Sequence, residues 1–191
     1  FGHKHMSSIK GLSFYKLMGS GKDNFNPFPD WSVYAVLQVW ENKSYAETFF
    51  ESHKLSQLYQ AHADKMEVLY LESIQARGFW NGKNPFQSCV SPKEVSNEDT
   101  IAVITRASIK PKLLLKFWKF VPESQKPLQH AEGLLYTKGF GELPFVEMAT
   151  FSIWKSKKHL QSYAYNSKGH KQAIQKTRQL DWYSEEMFSR F

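Results

Sequence analysis

Two stretches of this chain repeat one another in order, and the duplication limits what it can fold into more than any other feature. GLSFYK at Gly11 to Lys16 is answered by GLLYTK at Gly133 to Lys138, and LQVWENKSYAETFF by FSIWKSKKHLQSYA. Trp40 and Trp154, 114 residues apart, close equivalent strands. In the first half the pattern predicts strands over Leu12 to Met18 and Trp31 to Trp40, then a helix from Glu41 to Ser44 onward with a break near Ser52. A strand over Met66 to Ile74 follows. In the second half it predicts a strand Ile101 to Ile109, a helix about Lys112 to Val121, a strand Gly133 to Lys138 and a strand ending at Ala149 to Trp154. A helical stretch Lys157 to Thr177, interrupted at Lys168-Gly169, completes it.

This element order is that of a ferredoxin-like βαββαβ unit, whose sheet is covered by helices on one face and must bury the other. The expected fold is therefore α+β: two tandem ferredoxin-like repeats, residues 1–86 with the connecting loop and residues 87–191, packed as a pseudo-dimeric α+β barrel. A strand and a helix precede GLLYTK, whereas ten residues precede GLSFYK. The expectation is that the first repeat lacks its N-terminal strand and most of its first helix in this chain; the alternative is a shortened unit with an edge that something covers.

Composition excludes several classes. Of the 191 residues 41% are hydrophobic and 16% aromatic, enough apolar surface to exclude a disordered chain. No apolar run approaches the roughly 20 residues that span a bilayer, and no signal-peptide pattern opens the chain, so a cytoplasmic protein is expected. Cys89 is alone, which excludes an internal disulfide and any Cys-rich metal site within one chain. The net charge of +7 arises from 25 Lys and Arg against 18 Asp and Glu. These cations are scattered instead of clustered, and no nucleic-acid partner is expected.

Candidate chemistry is sparse. His170 has Ala173, Ile174 and Thr177 at i+3, i+4 and i+7, and His62 shares a face with Leu55, Leu58, Tyr59 and Met66. An imidazole facing an apolar interior needs a partner on each nitrogen, either polar neighbours within the core or a metal. Arg106 lies mid-strand between apolar residues. It either points to solvent or requires an anionic partner, a carboxylate or a cofactor propionate. Lys16 and Lys138, equivalent in the repeats, raise the same question. RGFWNGKNPF, Arg77 to Phe86, is either a pocket wall or a linker anchored by Phe79 and Trp80. GSGKDNF at Gly19 to Phe25 lacks the spacing of a phosphate loop and reads as a turn. No nucleophile–base arrangement supports hydrolysis.

Taken together, GLSFYKLMGSG, NPFPDWSVYAVLQVW, ARGFWNGKNPF, AVITRASIKP, TFSIWKSKKHLQSYAYNSKGHKQAI and WYSEEMFSRF resemble the spheroidene monooxygenase family, the acyclic carotenoid ketolases, in consistent order from Gly11 to Phe191. The resemblance implies a haem-dependent enzyme that hydroxylates an activated CH₂ of an apolar carotenoid twice with O₂, electrons coming from an external donor such as a ferredoxin. It implies haem b with His170 as axial ligand, His62 being the runner-up. Arg106 would be a propionate partner, and Phe151 and Trp80 would contact haem or substrate. It also implies peripheral contact with a membrane, where carotenoids reside. Two other readings stay open: a haem enzyme of the same barrel acting on another small molecule such as an aldoxime, and a non-catalytic haem or lipophile carrier. The oligomeric state is open.

Overall fold

The computed structural model describes residues 2–22, 26–87, 95–166, 175–177 and 179–191. The second half is the clearer copy. It contains β4 (Ile101–Ile109), α4 (Leu114–Gln129), β5 (Leu134–Leu143), β6 (Glu147–Trp154), α5 (Lys157–Asn166) and β7 (Tyr183–Arg190). Its strands lie in the order β5-β6-β4-β7, all antiparallel, which is the ferredoxin-like arrangement. The first half supplies α1 (Gly2–Met6), β1 (Leu12–Lys22), β2 (Asn26–Trp40), α2 (Lys43–Ser52), α3 (Lys54–His62) and β3 (Gln75–Gly78). Together they form an α+β fold with a seven-stranded sheet, β2-β1-β5-β6-β4-β7-β3.

By contacts, the chain divides into one unit of residues 1–17 and 36–71 and a second of residues 18–35 and 72–191. This differs from a division at residue 86 for a physical reason. The tip of the β1–β2 hairpin pairs with β5, Gly19 opposite Gly141, and β3 pairs along its length with β7.

In the second unit β4 organises the core. Ile101 pairs with Trp154 and Val103 with Ser152 on β6. Residues directly opposite in an antiparallel pair share a face. Ile101, Val103 and Trp154 therefore pack beneath Leu128 of α4 and Leu160 of α5, all buried. The opposite face carries Ala102, Ile104, Arg106 and Ser108 of β4 with Ala149, Phe151 and Ile153 of β6. α4 runs on through Pro122 and Pro127, past the expected stop at Val121. Each internal proline forfeits an amide hydrogen bond at a cost of about 3 kcal/mol. Burial of Leu128 in the core holds the last turn down.

In the first unit Asn42 caps α2 by accepting from the Tyr45 amide at 3.2 Å. The break expected near Ser52 falls at His53, whose extended backbone ends α2 and whose Nδ1 accepts from the Leu55 amide to start α3. Met6, Phe49 and Leu55 form the buried core here, with Leu12, Trp40 and Tyr59 packed around them. The strand expected over Met66 to Ile74 is not formed. Val68, Leu69, Tyr70 and Leu71 are exposed and outside any ladder, and the strand forms instead at β3. Alternating apolar residues favour an extended backbone, but a strand needs a hydrogen-bonded neighbour, and β7 bonds the chain from Ile74 to Phe79, past most of that run.

Candidate functional site

The helix-free sheet face of the second unit holds a buried charge. Arg106, 3% exposed, is carried there by the alternation of β4, opposite Ala149 of β6 and Met187 of β7. Its Nη1 donates to Glu185 Oε1, and its Nη2 stands 3.5 Å from Glu147. The guanidinium also lies over the Trp80 ring at 5.6 Å. Its Nε is buried without a hydrogen-bond partner among the described residues. Of the two sequence expectations for Arg106, a solvent-facing residue and a cation with an anionic partner, the structure realises the second, and the partners are carboxylates of the chain itself.

Glu185 does more than neutralise Arg106. Its two oxygens accept from the backbone amides of Asn81 and Gly82 at 2.8 and 2.7 Å, so it binds the RGFWNGKNPF loop to β7. Burial raises the pKa of this carboxyl, but the two amides and Arg106 outweigh that, and it lies below the usual Glu value. The loop suits the attachment. Asn81 and Gly82 have φ of 56° and 72°, the left-handed region that aims successive amides at one acceptor. Gly78, at φ 88°, approaches β7 so closely that a Cβ there would stand 2.2 Å from the Glu186 carbonyl oxygen.

Phe79 and Trp80 take opposite directions. Trp80 is 1% exposed, and its indole Nε1 donates to Glu142 at 2.5 Å. Phe79 is 56% exposed, on the wall of a cleft of about 770 Å³ lined also by Gly82, Thr177, Tyr183, Ser184 and Glu186. Asp181 stands at the same cleft, ion-paired to Lys110 at 2.6 Å. Lys138, on the helix-free face opposite Phe151, meets Asp30 at 3.0 Å. Hydrogen bonds from Ser32 and Lys138 lower the Asp30 pKa to about 2.

Phe151 is half-buried on β6, opposite Ile104 and on the same face as Arg106, with its ring 6.1 Å from that of Tyr136. Trp80 and Arg106 are thus brought into contact, with Phe151 elsewhere on the shared face. His62 is exposed in the last turn of α3, its Nδ1 donating to the Leu58 carbonyl at 2.9 Å. The inward face expected for it is not found, because Leu58 is exposed as well and α3 buries Leu55 and Ser56 instead. His170 lies outside the described residues. Among the described residues no cluster of His, Cys, Asp and Glu is arranged to hold a bare metal ion.

Sequence reasoning missed Glu185, Glu147 and Asp30. Alternation in YSEEMFSR places Glu185 on the face of Met187, but the strand itself was not expected; the repeat, which calls for a strand after the last helix, was the signal available.

No family model matches the chain. Among curated proteins, the spheroidene monooxygenase of Rhodobacter capsulatus is 34% identical over 184 residues, covering 94% of this chain and 75% of that protein. The spheroidene monooxygenase of Rubrivivax gelatinosus is 32% identical over 182 residues, covering 95% and 68%. That of Cereibacter sphaeroides is 32% identical over 97% of this chain, which spans 57% of its length. Among solved structures, a Fusobacterium nucleatum protein provisionally described as a monooxygenase superposes with a TM-score of 0.46 at 14% identity, over 98% of this chain and 78% of its own. On the extent and identity of the sequence matches, this chain belongs to the spheroidene monooxygenase family and is a monooxygenase.

Proposed function

We propose that the substrate of this monooxygenase is an acyclic carotenoid and that the product carries a keto group. The observation that supports the reading most directly is the 34% identity to a spheroidene monooxygenase across 94% of the chain. In balance, each hydroxylation consumes one O₂, two protons and two electrons from an external donor, and leaves one water. A second hydroxylation at the same carbon gives a gem-diol, which loses water to become the ketone. What the described residues contribute is a cleft wall held in one position: Glu185 fixes the loop, Arg106 balances Glu185, and Trp80 excludes water beneath them.

Haem with His170 as axial ligand is our proposal for the cofactor, supported by the resemblance at that position; when bound it would supply the activation of O₂. The described cleft does not itself fit haem. Asp181, Glu185 and Glu186 line it and would repel propionates, while Arg106 is committed to Glu185 and Glu147. No step is therefore derived through haem. The test is a spectrum of the protein reconstituted with haemin, wild type beside His170→Ala. A Soret band that responds to CO on reduction and is lost in the variant supports the ligand; a band unchanged in the variant excludes His170.

The substrate is tested by supplying spheroidene, O₂ and a reduced ferredoxin system, and examining extracted pigments by mass spectrometry. The expected product has gained one oxygen and lost two hydrogens at one carbon. The carboxylates of the cleft favour a second reading, a smaller, polar, nitrogen-containing substrate. An unchanged carotenoid together with O₂-dependent turnover of such a compound would establish it. We further propose that the positive net charge brings the protein to anionic membrane surfaces, where the carotenoid is dissolved. Among the described residues no helix is long and apolar enough to cross a membrane.

A further inference from the structure

The loop that carries Phe79 is fixed at every point along its length. Gly78 pairs with Met187 of β7, and the Phe79 amide donates to the Glu186 carbonyl at 2.8 Å. Trp80 is buried, and its amide donates to the Lys83 carbonyl at 2.6 Å. Asn81 and Gly82 are bound by Glu185. Phe86, 3% exposed, ends the loop against the Phe191 ring, 5.1 Å away and perpendicular. The backbone has no freedom left to withdraw Phe79 from water, yet the ring stays 56% exposed at the cleft wall. The three large rings of the loop differ only in this: two are anchors and one is presented.

With the backbone beneath it fixed, an exposed apolar ring gives up only its own rotamer freedom when an apolar ligand arrives, so contact returns most of the hydrophobic term. Asp181, Glu185 and Glu186 line the same cleft, but the part of it beside the ring is apolar. Gly82 exposes backbone with open space where a side chain would stand, leaving room beside the ring, and Tyr183 adds a second aromatic wall. We infer that Phe79 is a specificity-determining contact for an elongated apolar substrate, stacking on its chain at the mouth of the cleft. The inference rests on the carotenoid reading for the identity of that substrate, while the apolar contact itself can be measured without it.

The experiment uses the full chain with and without Phe79→Ala, and Phe79→Leu and Phe79→Trp as apolar replacements. The first readout is the fluorescence of N-phenyl-1-naphthylamine, an uncharged apolar probe. The second is competition of that probe by spheroidene, and the third is steady-state conversion of spheroidene. Phe79→Ala should weaken probe binding about tenfold, the scale of losing half a buried aromatic ring, while Leu and Trp retain most of it. In turnover KM should rise by a similar factor with kcat changed less than about twofold, because the contact is made equally in ground and transition states. The thermal midpoint should not move, since the ring packs against little in the free protein. Probe binding equal in wild type and Phe79→Ala overturns the inference, and so does a wild type that binds no probe. A probe effect with no carotenoid bound or converted leaves Phe79 as an apolar contact and overturns the carotenoid reading alone.

Discussion

A guanidinium whose side chain is 2% exposed and which faces two carboxylates stabilises only as part of the set. Arg106→Met would leave Glu185 and Glu147 crowded without a cation, and should lower unfolding free energy by about 3 kcal/mol in urea denaturation. Replacing Glu185 by Gln in the same protein should recover part of that loss, because it removes one of the two uncompensated carboxylates while its single amide oxygen still accepts from one of the Asn81 and Gly82 amides. The acidic limb of stability follows from two other residue-scale facts. Asp30 is lowered from 3.8 to about 2 by Ser32 and Lys138, and Glu185 is lowered from 4.5 by the loop amides and Arg106 against the opposing effect of burial. A carboxyl depressed in the fold contributes stability fully above its unfolded value and loses it as pH falls through its folded value. The stability these two carboxyls contribute should therefore be constant above about pH 5 and fall steadily towards pH 2. In Asp30→Asn the fall should be shallower at its lowest end, with the difference read from urea midpoints across the series.

At the scale of elements, β4 and β7 do most of the placing, and they show what was legible in the sequence. The alternation of IAVITRASI placed Arg106 on one face with Ile104, and the structure keeps that face. The repeat indicated the α+β topology, and the helical spacing of the first half indicated the break between α2 and α3. Two things were hidden. Whether an apolar run becomes a strand depends on a partner distant in sequence, which is why Met66 to Leu71 lies outside any ladder while residues 75–78 pair with β7. Which carboxylate meets a buried cation depends on register, and the Arg106–Glu185 contact joins residues 79 apart in the chain. The link between β3 and its loop gives a prediction of its own. Gly78→Ala must move either the loop or β7, since both the positive φ and the Glu186 carbonyl oppose a Cβ. It should cost more than about 1 kcal/mol and speed hydrogen exchange at Asn81 and Gly82, while exchange in β6 stays unchanged.

At the scale of the molecule, the two units are unequal. The second includes the four-stranded ferredoxin-like sheet over a core of Ile101, Val103, Leu128, Trp154 and Leu160, with Trp80 and Trp182 also almost fully buried. The first rests on Met6, Phe49 and Leu55, with exposed apolar residues from Met66 to Leu71. Amide exchange should rank accordingly: α2 and α3 should open at lower free energy than β4 and β6, and equal protection in both would contradict the inequality. The units are also interleaved, since the chain passes between them at residues 17–18, 35–36 and 71–72. A gene recombination with a single crossover cannot transplant either one intact. A fragment starting at residue 72 would carry β3 to β7 and still leave Lys138 without Asp30 and β5 without the strand beside it. Exchange of halves between relatives should succeed only where the hairpin tip travels with the C-terminal half, so the unit of inheritance in this fold is discontinuous along the gene.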